Sequence, residues 1–133
     1  MLLRICCLLV VAAVLVRGEP APLEQNLIGR WRGQSEREIV LRSDHTFVAR
    51  NGSQLVSGSW RLETARINRD ARPRLITLTT VLPNGKQRFY KSTFEITGDR
   101  LTFTTHAAVT VSRGEPVADP RIDFTPTVYQ RVR

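Results

Sequence analysis

The chain has 133 residues, of which 20 are basic and 12 acidic, so its formal net charge is +8. This length suits one domain with a single hydrophobic core, because longer chains divide into several. The two cysteines, Cys6 and Cys7, both lie close to the N-terminus. If that stretch is removed, the rest of the chain has no disulfide, no cysteine-bound zinc and no thiol nucleophile.

The N-terminus has the layout of a secretory signal. Arg4 is followed by an uncharged apolar run (5–16) that ends at Arg17-Gly18 and gives way to a polar, proline-containing stretch. The run is shorter than the roughly 20 apolar residues of a membrane-spanning helix, which predicts a removable signal peptide and no stable membrane span. We expect a signal peptide over 1–18, one domain over 19–133, and a secreted or periplasmic location. Removing Arg4 and Arg17 would leave a net charge of about +6.

Alternation of apolar and polar side chains predicts that the rest of the chain is built from β-strands. A lead-in over 19–25 suits one helical turn, and no later stretch has the spacing of a long amphipathic helix. Beyond it the alternation has a period of two and is interrupted by turn signals such as Asn51-Gly52 and Pro83-Asn84-Gly85. The predicted strands are 28–34, 38–42, 46–50, 54–63, 75–81, 86–96, 100–105 and 127–132.

Two stretches do not follow the alternation. Residues 66–73 are polar and predict a loop. Residues 106–125 are the least regular part, with a strand over 108–112, a break at Gly114-Glu115-Pro116, and Ile122 and Phe124 as isolated apolar anchors. A lid is one interpretation of the second stretch, and the sequence leaves its role open.

These short strands and tight turns predict an all-β fold. The architecture we expect is a small antiparallel up-and-down β-barrel of about eight strands, since closing the barrel removes exposed sheet edges. A two-sheet sandwich is the alternative. Gly29, Gly33 and Gly58 favour the barrel, because glycine inside a strand often marks a sharp bend.

The segment that ends in Gly29-Arg30-Trp31 resembles the opening of lipocalin-like (calycin) barrels. The stretches 43–47, 58–60 and 97–103 also resemble hairpins of small bacterial lipocalin-like exported proteins. The resemblance implies that Trp31 plugs one end of a barrel and that Arg131, in the last strand, stacks on its ring through a cation–π contact. The chain is shorter than a typical lipocalin, so a large ligand cavity does not follow from the resemblance.

Aromatic and basic side chains supply the candidate binding residues. Trp31, Trp60 and Tyr90 are expected to face the interior, where they either line a pocket for an apolar ligand or fill the core. Arg88 and Arg131 could meet the anionic head group of an amphipathic ligand.

No catalytic or metal-binding constellation is recognisable in the sequence. His45 lies beside Asp44 in a predicted turn, at a position where a left-handed backbone is expected. His106 has no acidic or histidine partner at ligand spacing, and the serines lack a nucleophile elbow. The sequence therefore predicts a protein that is not an enzyme and that holds no metal or cofactor.

The clearest basic feature is a group of four arginines in and beside the predicted loop: Arg66, Arg69, Arg72 and Arg74. These side chains could contact lipid phosphate, an acidic polymer or an acidic protein surface. No aromatic residues are interleaved with them, which disfavours single-stranded nucleic acid. We therefore expect no nucleic-acid partner.

Two functions remain open at this point. The first is an exported, non-enzymatic barrel that binds a small hydrophobic or amphipathic ligand in its interior. The second is a barrel with a filled core that acts through its surface on a protein partner, as an envelope interaction module or a protease inhibitor. An interior cavity of about 300–1,000 Å³ would support the first function.

Overall fold

The computed structural model describes residues 22–67, 70–119 and 125–133, with the backbone alone at 64–67 and 70–74. The predicted signal peptide and the predicted anchors Ile122 and Phe124 lie outside the described residues. One helical turn, α1 (Pro22–Leu27), comes first. The strands that follow are β1 (Gly29–Gly33), β2 (Arg37–Leu41), β3 (Thr46–Asn51), β4 (Gln54–Ile67), β5 (Asp70–Val81), β6 (Gln87–Thr97), β7 (Arg100–Ser112), β8 (Glu115–Ala118) and β9 (Thr127–Arg131).

Eight of these strands close into an antiparallel barrel. Strands β1 to β7 pair in chain order, and β9 lies between β7 and β1. The short β8 pairs with the last part of β7 and is the additional strand. The predicted all-β, up-and-down barrel is therefore confirmed, and the chain does not adopt the sandwich.

The strands predicted around β1, β2, β3, β6 and β9 agree with the observed bounds to within one residue at each end. The loop predicted over 66–73 is wrong, because β4 continues to Ile67 and β5 begins at Asp70. Backbone hydrogen bonds hold this hairpin, and they need no alternation of side chains. Its register shifts between Glu63 and Thr64. No prediction from alternation alone could have found it.

The strands predicted over 100–105 and 108–112 are one strand, β7, which contains a β-bulge. Thr105 pairs with Ser92 and Ala107 pairs with Lys91, so His106 is the extra residue. A bulge reverses which side chains point inward, and both Phe103 and Ala108 are accordingly buried. The predicted break is present at Gly114, which lies in the tight turn between β7 and β8, but Glu115 and Pro116 already belong to β8.

The hydrophobic core is concentrated at the end of the barrel that carries α1. This end, here called the helix end, also contains the β2–β3 turn, the β6–β7 turn and the C-terminus. The opposite end, here called the far end, contains the β1–β2, β3–β4, β5–β6 and β7–β8 turns. The buried core residues are Leu27, Trp31, Ile39, Leu41, Phe47, Trp60, Ile76, Phe94, Leu101 and Phe103.

Tyr129 gives a test of this packing. Its ring lies edge-on to Phe103, with ring centroids 5.8 Å apart, and burial raises the pKa of its phenol above the ordinary value of 10.0. A raised pKa means that Tyr129 contributes full stability below about pH 10 and loses it as the pH rises through the folded-state pKa. Urea unfolding of Tyr129→Phe should therefore show a smaller alkaline loss of stability than the unsubstituted protein. Identical pH profiles would contradict the burial of this phenol.

Candidate ligand-binding site

Trp31 closes the helix end and is fully buried, at 0% exposure. Its indole Nε1–H donates to the carbonyl of Leu27 at 2.9 Å, which joins β1 to the end of α1. The guanidinium carbon of Arg131 lies 4.2 Å from the centroid of the Trp31 rings. The stacking that the lipocalin-like resemblance implied is therefore present.

Arg131 also completes the end of the helix. The last carbonyls of a helix lack partners within it, and Arg131 donates to the carbonyls of Asn26 at 2.6 Å and Ile28 at 3.2 Å. Its Nε lies 3.3 Å from the carboxylate of Asp99. These contacts give Trp31 and Arg131 a part in sealing the helix end, and the ligand-binding role predicted for them stays a prediction.

Trp60 and His45 also contribute to closing the helix end. Trp60 is buried and its Nε1–H donates to the carbonyl of Arg42 at 3.1 Å. The His45 ring packs on Trp60, with centroids 4.9 Å apart, and its Nε2 contacts the Glu24 carboxylate on α1. His45 has a φ of 64°, which confirms the left-handed position predicted for it. This histidine is thus engaged in holding α1 against the β2–β3 turn.

Asp44 shapes the turn that carries His45. Its carboxylate accepts hydrogen bonds from the Thr46 backbone N–H at 3.0 Å and from the Thr46 hydroxyl at 2.6 Å. These bonds, with that of the hydroxyl contributing most, lower the pKa of Asp44. The pair Asp44-His45 is therefore a turn structure, in agreement with the sequence interpretation.

The strand register places Arg88 and Tyr90 on the inner face of the barrel. Directly opposite residues of an antiparallel pair share a face. One cross-strand row runs Phe47, Gly58, Thr80, Arg88 and Thr110. The next row runs Trp60, Leu78, Tyr90 and Ala108. Because Phe47, Thr80, Trp60 and Ala108 are buried, both rows line the interior.

Arg88 has a partly satisfied guanidinium group. One terminal nitrogen donates to the Asp119 carboxylate at 2.7 Å, and the side chains are 29% and 30% exposed respectively. The guanidinium carbon lies 5.1 Å from the centre of the Tyr90 ring. The Nε–H is buried and has no hydrogen-bond partner among the described residues. A buried donor left without an acceptor costs roughly 1–3 kcal/mol, so a ligand oxygen at this position would be favoured.

The structure thus divides the five predicted binding residues into two groups. Trp31, Trp60 and Arg131 lie in the seal at the helix end. Arg88 and Tyr90 are adjacent in the interior further toward the far end, and Tyr90 shares a cross-strand row with Trp60. Sequence reasoning missed Asp119, which is 31 residues from Arg88 and lies in the irregular stretch where no local pattern marks it.

Exposed apolar side chains gather at the far end. In the described part of the chain, the large hydrophobic residues that stay exposed are Leu55 (70%), Val56 (37%), Val81 (63%) and Val117 (62%). Leu55 and Val56 follow the β3–β4 turn, Val81 ends β5, and Val117 lies in β8. The exposed large hydrophobic residues of the described chain therefore lie toward the far end.

His106 and the acidic residues form no metal site in the regions that can be described. His106 is exposed and its Nε2 lies 2.7 Å from the Thr93 hydroxyl. Among the described residues, no group of three or more histidine, cysteine, aspartate and glutamate side chains could hold a metal ion. Likewise, no described helix is long and apolar enough to cross a membrane.

No family model and no curated protein matches this sequence. Among solved structures, the chain is similar to the crystal structure of Treponema pallidum Tp0751 (pallilysin), with a TM-score of 0.52 and 14% sequence identity. The similarity covers 86% of this chain and 86% of that chain. At this identity it supports the barrel fold alone.

Proposed function

We propose that the chain is an exported, non-enzymatic, lipocalin-like barrel that binds a small hydrophobic molecule with an anionic head group. The ligand would enter from the far end, with its head group on Arg88 and its apolar part against Tyr90. The observation that carries this proposal is the buried Nε–H of Arg88, which has no acceptor among the described residues. Export rests on the signal-like N-terminus of the sequence.

The arrangement favours an anion over a neutral ligand. The guanidinium is planar and offers donors along two edges. The carboxylate of Asp119 accepts from one terminal nitrogen, which leaves Nε for a carboxylate or phosphate oxygen. Hydrogen bonds between charged groups are worth about 1.5–3 kcal/mol, enough to select an anionic amphiphile over an alcohol of the same length.

The filled helix end limits the size of the ligand. Trp31, Trp60 and Phe47 are among the largest fully buried side chains, and they lie toward the helix end. A ligand that contacts Arg88 and Tyr90 must therefore be short. If the far half is filled as well, the alternative applies, in which the barrel acts through its surface on a protein partner.

Fluorescence titration of the mature protein (19–133) tests the proposal. Decanoate is expected to give a saturable change in tryptophan emission, because Trp60 lies in the same row as Tyr90. Arg88→Gln should weaken decanoate binding about tenfold or more, with little effect on decanol. The outward-facing, exposed Arg100 provides the matched control, Arg100→Gln, which should bind decanoate normally. No saturable signal with either amphiphile would reject the proposal in favour of the surface-acting alternative.

Asp119→Asn tests whether the Asp119 carboxylate competes with the ligand head group for Arg88. It keeps the guanidinium group but removes the carboxylate that competes for it. We expect this variant to bind decanoate more tightly than the unsubstituted protein. Weaker binding would indicate that the Asp119 contact positions Arg88, and that the head group does not compete with Asp119.

A further inference from the structure

The far end carries basic as well as apolar side chains. Lys86 in the β5–β6 turn and Arg113 in the β7–β8 turn line the same open cleft, which has a volume of about 590 Å³ and also contains Asn84 and Ser112. Within the described residues, neither Lys86 nor Arg113 forms an ion pair. Glu115 is the neighbouring acidic group, at the start of β8. The cleft therefore has two cations beside one carboxylate.

The remaining far-end charges do not cancel this excess. Arg37 and Arg50 lie at the ends of the strands that flank the β1–β2 and β3–β4 turns, and Glu36 lies in the β1–β2 turn. Arg50 is 3.9 Å from the Glu38 carboxylate, a long and largely screened contact. The far end thus presents a positive surface.

Exposed apolar side chains lie on the strands that adjoin the two turns carrying these cations. Val81, the last residue of β5, pairs with Gln87, which in turn pairs with Val111 and then Pro116. This row runs across four strands on the outer face, next to the turns that carry Lys86 and Arg113. Val117 follows in β8 and is 62% exposed. It pairs with Thr110, so it lies on the opposite face of the sheet from Val81, at the same end of the barrel. We call Val81, Lys86, Arg113 and Val117 the far rim.

We infer that the far rim docks on the surface of a bilayer that contains anionic lipids. Val81 and Val117 would enter the headgroup region, while Lys86 and Arg113 meet lipid phosphates. Apolar side chains flanked by cations are the combination that interfacial binding uses. Lys86 and Arg113 project from separate turns and the two valines from separate strands, which suits a deformable lipid surface better than a rigid peptide. This docking goes beyond the proposed function, since it would bring the entrance of the ligand site to the membrane.

Co-sedimentation with lipid vesicles tests the inference. The mature protein should bind vesicles of phosphatidylcholine and phosphatidylglycerol at 3:1 and low salt, and bind pure phosphatidylcholine vesicles much more weakly. Lys86→Gln combined with Arg113→Gln should lower the partition coefficient about 25-fold, from about fivefold for each charge lost near an anionic surface. Val81→Ser combined with Val117→Ser should also weaken vesicle binding. Salt at 0.5 M screens the charges of Lys86 and Arg113, so it should weaken the binding of the unsubstituted protein more than that of the variant that lacks these two charges.

A matched control removes the same charge from the other end. Arg42 and Arg100 are exposed residues of the helix end, and Arg42→Gln combined with Arg100→Gln should change the partition coefficient less than twofold. Equal losses in the two double variants would overturn the inference, because binding would then follow net charge alone. Absence of binding to anionic vesicles would overturn it as well. Arg88→Gln should bind vesicles normally, so failure of ligand binding and failure of docking can be told apart.

Discussion

Trp31→Ala is expected to lower the free energy of unfolding of the barrel (residues 19–133) by about 3–5 kcal/mol. The substitution empties the largest fully buried position at the helix end. It also removes the hydrogen bond to Leu27 and the ring on which Arg131 stacks. Since domains of this size are stable by only about 5–15 kcal/mol, urea unfolding followed by circular dichroism should show a much lower midpoint or a chain that is partly unfolded in buffer.

Trp31→Phe is the matched control for this substitution. A phenyl ring keeps much of the buried volume and a surface for the Arg131 guanidinium, but it cannot donate to the Leu27 carbonyl. We expect a loss clearly smaller than that of the alanine variant. If Trp31→Ala unfolds at the same urea concentration as the unsubstituted protein, Trp31 does not anchor the core.

Gly58→Ala is the second substitution with a large expected effect. A Cβ atom at this position would lie 1.8 Å from the carbonyl oxygen of Thr79 and 3.1 Å from Cε1 of Phe47. The oxygen belongs to the backbone of the paired strand, so no change of rotamer relieves the overlap. Overpacking usually costs about 1–3 kcal/mol, and we expect a loss at or above the top of that range, measured by urea unfolding.

Ser59→Ala is the matched control, because it changes the next residue of β4 without creating an overlap. Ser59 is the next residue in β4, is exposed, and pairs with Thr46 and Thr79 across the sheet. Its truncation should change the stability by less than about 0.5 kcal/mol. If Gly58→Ala is as stable as Ser59→Ala, β4 and β5 do not approach each other at Gly58 as closely as the structure shows.

The sequence predicted the barrel because one face of each regular strand is apolar. Trp60 lies between the exposed Ser59 and Arg61, and Phe47 between the half-buried Thr46 and Val48. The register confirms that both aromatic side chains point inward. Local alternation failed at His106, where a bulge reverses the faces within one strand. It also failed over 66–73, where the backbone of β4 and β5 pairs although the stretch carries no alternating pattern.

The candidate site could be predicted only in part. Alternation with Tyr90 was enough to put Arg88 among the candidates, and the lipocalin-like resemblance was enough to pair Arg131 with Trp31. Asp119, the partner of Arg88, directly follows β8 and is 31 residues from Arg88 in the sequence. Its position, and the buried Nε–H that follows from it, depend on tertiary packing that no short motif encodes.

The proposed function depends most on the difference between the two ends of the barrel, one sealed by Trp31 and the other proposed to admit the ligand. The most direct test is the ¹H–¹⁵N correlation spectrum of residues 19–133 during titration with decanoate. We predict that the largest shift changes fall on Arg88, Tyr90 and Thr110, while Trp31 and Gly29 at the helix end stay unchanged. Changes confined to the helix end, or no changes at saturating decanoate, would contradict it.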